Sequence, residues 1–98
     1  MRLDQFLRAS RLVLRRTVAQ ELCGAGAVSV NGVKARSSRE VHEGDEIAVL
    51  RRGRSLAVRV VSIPGVRQPS RGEAAALYAI VRDERTVEDE AAEAAQDV

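Results

Sequence analysis

The chain has 98 residues, enough for one domain around a single core. Its hydrophobic fraction is 45%, but its only aromatic residues are Phe6 and Tyr78, so Val, Leu, Ile and Ala must build the core, and the composition argues against a nucleic-acid binder that stacks bases on aromatic platforms. The net charge of +2 conceals a division: all 16 Lys and Arg lie in residues 1–85 against nine acids, whereas residues 86–98 carry five acids and no base. A body of +7 seeks anions, and nucleic acids are the commonest large anions in a cell. Fifteen of the 16 bases are Arg, whose planar fork of donors fits phosphates and base edges, although an Arg-rich proteome would produce the same bias.

Cys23 is the single cysteine, which rules out an internal disulfide, and no Cys/His cluster offers a zinc site. Cys23 falls between apolar residues of an expected helix and reads as a buried thiol. Leu3 is flanked by Arg2 and Asp4 with no long apolar stretch behind it, so neither a signal peptide nor a membrane span is expected, and the chain is placed in the cytoplasm.

In chain order, Leu3, Phe6 and Leu7 stand at i, i+3, i+4 and predict a short helix over residues 3–10, with Asp4 in its first turn where a negative charge is favoured. A second helix is predicted from about Leu14 to Cys23, ended by Gly24 and Gly26. Its start has two readings. Arg15 and Arg16 stand in or before its first turn, where positive charge is unfavourable unless an anion sits there, while Thr17 with Gln20 matches a capping box that would begin the helix at Thr17. The period then changes to two. Residues 27–30 and 33–35 predict strands joined by Asn31-Gly32, the strongest short hairpin signal. A polar turn over residues 41–46 precedes a third strand at 47–50, Arg51-Arg52-Gly53-Arg54 forms a basic loop, and residues 56–63 alternate as a fourth strand. Pro64-Gly65 and Pro69-Ser70 bound a loop. A third helix is predicted over about residues 73–82 from Leu77, Ile80 and Val81, and residues 86–98 as an acidic disordered tail. The domain is therefore residues 1–85.

Arg2-Leu3-Asp4, the pair Arg15-Arg16, Gly26-x-Val28-x-Val30-Asn31-Gly32 and Gly44-Asp45-x-Ile47, in this order, resemble the S-four (alpha-L) RNA-binding domain over residues 2–50. That resemblance implies an α+β fold: two short helices packed on a small, mainly antiparallel sheet, here followed by a C-terminal helix. The added strand at 56–63 and the segment Gly72-Glu73-Ala74-Ala75-Ala76-Leu77-Tyr78 extend the likeness, over about residues 2–85, to the small RqcP proteins of bacterial ribosome-associated quality control, with a small ribosome-binding heat-shock protein as a cousin. Leu14 departs from the pattern, since many S-four domains place a small polar helix cap there.

The resemblance implies a non-enzymatic factor that binds ribosomal RNA of the large subunit and the peptidyl-tRNA of stalled complexes, and helps a tailing factor add C-terminal alanines. It carries RNA contact to Arg2, Asp4, Arg15 and Arg16. Helical spacing separately turns Arg8, Arg11, Arg15 and Arg16 away from the Leu3/Phe6/Leu7 face, and Lys34, Arg36 and Arg39 follow on the hairpin side. Phosphate and ribose contact by shape needs such a surface and few aromatics. No catalytic constellation, metal site or cofactor is expected: Glu43, Asp45 and Glu46 crowd one turn without a calcium-loop spacing, and His42 stands alone. A monomer is expected. On the residues alone two alternatives stay open, a general structured-RNA-binding module and an adaptor whose basic face meets an acidic protein. The Arg51/Arg52/Arg54 loop reads equally well as a contact or as a solvated turn.

Overall fold

The computed structural model describes residues 1–65 and 69–85. Two helices, α1 (Leu3–Ala9) and α2 (Arg16–Gly24), precede strands β1 (Val28–Val30), β2 (Val33–Lys34), β3 (Glu46–Arg51) and β4 (Arg54–Val60). A single-turn helix α3 (Arg71–Ala75) and a last strand β5 (Tyr78–Arg85) complete the order. The five strands form one antiparallel sheet in the order β2-β1-β3-β4-β5.

The apolar spacing of α1 places Leu3, Phe6 and Leu7 wholly inside, against Val28, Val30 and Ile47 of the sheet and Val41 of the loop before it. Each such side chain contributes about 1.5–3 kcal/mol relative to exposure. Ala19 and Cys23 of α2 close the same core, with Val18 and Leu22 half-buried beside them. The residues of β3 and β4 that register Ile47 with Val58 and Val49 with Leu56 form the inner face of the sheet.

Asn31 and Gly32 both take positive φ, 52° and 84°, as a two-residue hairpin turn demands. Asn31 does more than turn the chain. Its Oδ1 accepts from the Glu46 amide at 2.9 Å and its Nδ2 donates to Asp45 Oδ1 at 3.1 Å, so the hairpin tip is tied to the start of β3. Asp45 also accepts from the His42 amide at 2.9 Å, which occupies the acidic turn with structural bonds.

The structure corrects the C-terminal helix expected over residues 73–82. Only residues Arg71–Ala75 are helical, started by Ser70, whose Oγ accepts from the Glu73 amide at 3.3 Å. Tyr78–Arg85 is instead a strand along β4, with a register shift opposite Ala57/Val58. Leu77 is buried, but Ile80 and Val81 are 60% and 44% exposed, so the helical spacing of these three residues does not mark a buried face. Pairing with β4 covers an otherwise open sheet edge, and the β-branched Ile80-Val81 pair suits a strand better than a helix. Residues 86–98, expected as a disordered tail, lie outside the described residues.

Candidate nucleic-acid interface

The helix-start basic pair is organised by a carboxylate. Asp4 is fully buried, and its oxygens accept five hydrogen bonds. Oδ1 takes the Gln5 amide at 2.9 Å and Arg2 Nε at 3.3 Å; Oδ2 takes Gln20 Nε2 at 3.0 Å, Arg16 Nε at 3.2 Å and Arg2 Nη2 at 3.4 Å. Burial alone would push the Asp4 pKa up, but the bonds from Gln20 and Arg16 and the charges of Arg16 and Arg2 outweigh it and hold the carboxyl below its ordinary value. Arg2 and Arg16 remain 43% and 44% exposed, so each bonds Asp4 while a large part of its side chain stays open to solvent. Asp4 thereby fixes two guanidinium groups, one just before α1 and one at the start of α2, on a single carboxylate, an arrangement suited to the anionic oxygens of a folded polyanion.

Of the two readings of the start of α2, the first holds in placing Arg15 and Arg16 at its first turn, although the helix starts two residues later than Leu14. The helix begins at Arg16 with Arg15 as an extended cap residue, and no side chain caps it. The Thr17–Gln20 capping box does not form, because Gln20 donates to Asp4, the more demanding partner as a buried charge. The Asp4 role expected from α1 alone, first-turn stabilisation, is joined by this clamp.

Around the clamp, Met1, Gln5, Arg8 and Arg16 line a recess of about 240 Å³. Gln5 is set by accepting from the Arg2 amide at 3.1 Å. Arg8, Ala9, Arg11, Leu14 and Pro69 line a second recess, where Arg11 holds a left-handed backbone at φ 62° to leave α1. Leu14 is 75% exposed among these bases. The loop carrying Arg36 and Arg39 lies along the start of α1: the Leu3 amide donates to the Arg39 carbonyl at 2.7 Å and the Asp4 amide to the Ser37 carbonyl at 3.1 Å. Lys34 is placed apart. Its side chain runs over Gly26, past the C-terminal end of α2, where a cation complements the helix dipole. The structure thus brings Arg2, Asp4, Arg8 and Arg16 together, sets Arg11, Arg15, Arg36 and Arg39 on the adjoining segments, and separates Lys34 by the length of α2. Gln5 and Gln20 were not singled out from sequence as site residues. Their only local signal was helix-cap spacing, which pointed to the backbone rather than to Asp4.

Among the described residues, no group of three or more His, Cys, Asp and Glu is placed to hold a metal ion, and no helix is long and apolar enough to cross a membrane. Cys23 is buried, and burial with the nearby Asp4 charge pushes its thiol up.

This architecture, two short helices carrying a clamped basic pair against an antiparallel sheet, is that of an S4 domain, and the S4 domain family model matches residues 1–47. The likeness extends further along the chain. The RQC P-site tRNA stabilizing factor of Halalkalibacterium halodurans is 45% identical over 85 residues, covering 86% of this chain and 93% of that protein. The factor of the same name from Bacillus subtilis is 39% identical, covering 87% and 96%. The chain therefore belongs to the family of RQC P-site tRNA stabilizing factors. Among solved structures, trimeric Heat Shock Protein 15 of Vibrio cholerae superposes with a TM-score of 0.74 at 25% identity, covering 98% of this chain and 91% of that one.

Proposed function

We infer that this chain is a non-enzymatic, cytoplasmic RNA-binding factor of ribosome-associated quality control, acting as a monomer. It binds ribosomal RNA of the large subunit together with the peptidyl-tRNA left after a stalled ribosome splits, steadies that tRNA, and so supports a tailing factor that adds alanines to the nascent chain. Residues 1–85 are the working domain. Arg2 and Arg16 contact RNA directly while Asp4 holds them; Arg8 on α1 and Arg11 and Arg15 in the α1–α2 connection extend the surface, and Lys34, Arg36 and Arg39 supply its outer contacts. The observation that carries this reading is the buried Asp4 carboxylate gripping Arg2 and Arg16 at 3.2–3.4 Å while each keeps over two-fifths of its side chain exposed. Full burial of both arginines would have made the cluster a core ion pair. The names of the relatives, which stabilise P-site tRNA, point to the same ligand.

The test is tRNA retention. Large subunits carrying peptidyl-tRNA are incubated with and without the protein, and the tRNA remaining is followed over time. Slower loss with the protein is expected; an unchanged rate of loss overturns the reading. A second reading, a general structured-RNA module, draws on the fold shared with Heat Shock Protein 15 across 98% of this chain. It predicts equal binding to large subunits with and without tRNA.

A further inference from the structure

A recess of about 400 Å³ opens beside the β3–β4 turn, and none of the residues of the Asp4 clamp lines it. Strand register builds it. Val49 pairs with Leu56 and, two residues nearer the turn, Arg51 pairs with Arg54, so all four side chains share one face of the sheet. Val49 is buried in the core and Leu56 packs half-buried against it, so this face passes from core to charge in one step of the pleat. Leu12, in the α1–α2 connection, closes the apolar side. Arg52 in the turn and Arg85, paired with Arg54, complete the charged rim.

Part of that charge is answered within the fold: Arg54 donates to both oxygens of Asp83, at 2.8 and 2.7 Å. Arg51 and Arg52 are exposed, and among the described residues they meet no acid at ion-pair distance. An inorganic anion or an acidic peptide side chain would use these two guanidinium groups and leave Leu12, Val49 and Leu56 uncovered. A nucleotide uses both parts, its phosphate taking the arginine donors and its base and ribose covering the apolar floor. Only an unpaired nucleotide can do so, because paired bases are stacked inside their helix and offer a protein backbone and groove edges. The volume fits, since small-ligand sites span about 300–1,000 Å³.

We propose that this recess holds an unpaired nucleotide of RNA, with Leu12, Val49 and Leu56 under its base and ribose and Arg51 and Arg52 on its phosphates. The inference rests on the RNA-binding reading above and adds a requirement to it. Arg11, the chain neighbour of Leu12, lines the recess it shares with Arg8 and Leu14, so RNA held on the helix surface reaches the sheet recess across the α1–α2 connection. The RNA must then present a looped, bulged or terminal nucleotide beside the part the helices hold, a condition the Asp4 clamp alone does not set. The floor is aliphatic, which is how a chain with two aromatic residues can still cover a base.

The test follows methyl and amide NMR signals of the full chain as three probes are added: hexauridylate, a blunt-ended RNA duplex and hexaglutamate. Hexauridylate should move the methyls of Leu12, Val49 and Leu56 and the amides of Arg51 and Arg52. The duplex should move signals around Arg2, Arg8 and Arg16 and leave those methyls in place. The double variant Arg51→Gln, Arg52→Gln should weaken hexauridylate binding at the recess about tenfold and lower its salt slope by about 1.4, the share of two phosphate contacts on a single strand. Arg16→Gln should leave the recess response unchanged, so recess and clamp are read separately. Recess methyls that ignore hexauridylate overturn the proposal, even if signals around Arg2 and Arg16 respond. So do methyls that move as far with the duplex, which would assign the recess to RNA backbone, or with hexaglutamate, which would assign it to an acidic protein. Signals around Arg2 and Arg16 that ignore both RNAs while the recess responds would overturn the clamp reading and leave the recess standing.

Discussion

Replacing Asp4 by Asn tests the clamp without emptying its volume. The asparagine keeps one carbonyl oxygen for the Gln5 amide and Arg2, but its amide nitrogen then faces Gln20 Nε2 and Arg16 Nε, which were bonded to Oδ2 at 3.0 and 3.2 Å. Hydrogen bonds to a charged group contribute about 1.5–3 kcal/mol each when protected from solvent. Asp4 is wholly buried, but its two Arg partners are over two-fifths exposed and solvent-screened, so about 2 kcal/mol in total is a fair expectation. For a domain of this size that lowers Tm by about 8–16 °C. Freed from Asp4, Arg2 and Arg16 must be ordered anew on binding, at about 1 kcal/mol, or about fivefold in affinity. Thermal melts by circular dichroism read the first effect. RNA binding well below both melting temperatures reads the second. An Asp4→Asn variant melting within about 2 °C of the parent, with unchanged RNA affinity, would refute the clamp.

Arg16→Gln should weaken RNA binding at least tenfold and lower the salt slope by about one phosphate contact, measured by titration at several salt concentrations. The structure makes Arg16→Glu a poorer probe, because it would set a second carboxylate against buried Asp4. Asn31→Ala loses both side-chain bonds to the start of β3 and a residue tolerant of φ 52°, and should cost about 1–2 kcal/mol by chemical denaturation. Arg52 holds φ 49° in the β3–β4 turn, so Arg52→Gly should raise Tm by a few degrees despite the entropy of glycine; a lower Tm would mean the arginine side chain stabilises the turn. Asp4 and Asp45 both titrate below their ordinary values in the folded chain, Asp45 because the His42 amide and Asn31 outweigh its burial. Their stabilisation is present above an unfolded pKa of about 3.9 and is lost as pH falls through the lower folded values. Acid unfolding should therefore steepen below about pH 4, and Asp4→Asn should flatten that limb.

The first half of the molecule was legible because its signals are local and agree. Leu3, Phe6 and Leu7 mark one helical face and Asn31-Gly32 a turn, and both occur where expected; the next hairpin also forms, but β4 runs Arg54–Val60 rather than over residues 56–63, and the basic loop expected over Arg51–Arg54 narrows to the turn Arg52-Gly53. The C-terminal strand was not legible, because Leu77, Ile80 and Val81 satisfy a helical period over too short a span to exclude a strand. What decided the matter was the unpaired edge of β4, a property of the sheet rather than of the segment. The clamp was half legible. Arg2, Asp4 and Arg16 stand out as charges, but the bond from Gln20 spans 16 residues and competes with a plausible local cap, so only the packing of α1 on α2 reveals it.

A factor that works on large subunits holding tRNA should be found on them in the cell. The most direct measurement is to recover the tagged protein from gently lysed cells on a sucrose gradient and sequence the RNA that accompanies it. The protein should travel with free large subunits enriched in tRNA, and Arg16→Gln should move it to the top of the gradient. Migration free of ribosomal RNA, or with a partner that survives ribonuclease, would contradict that role and assign the basic face to a protein.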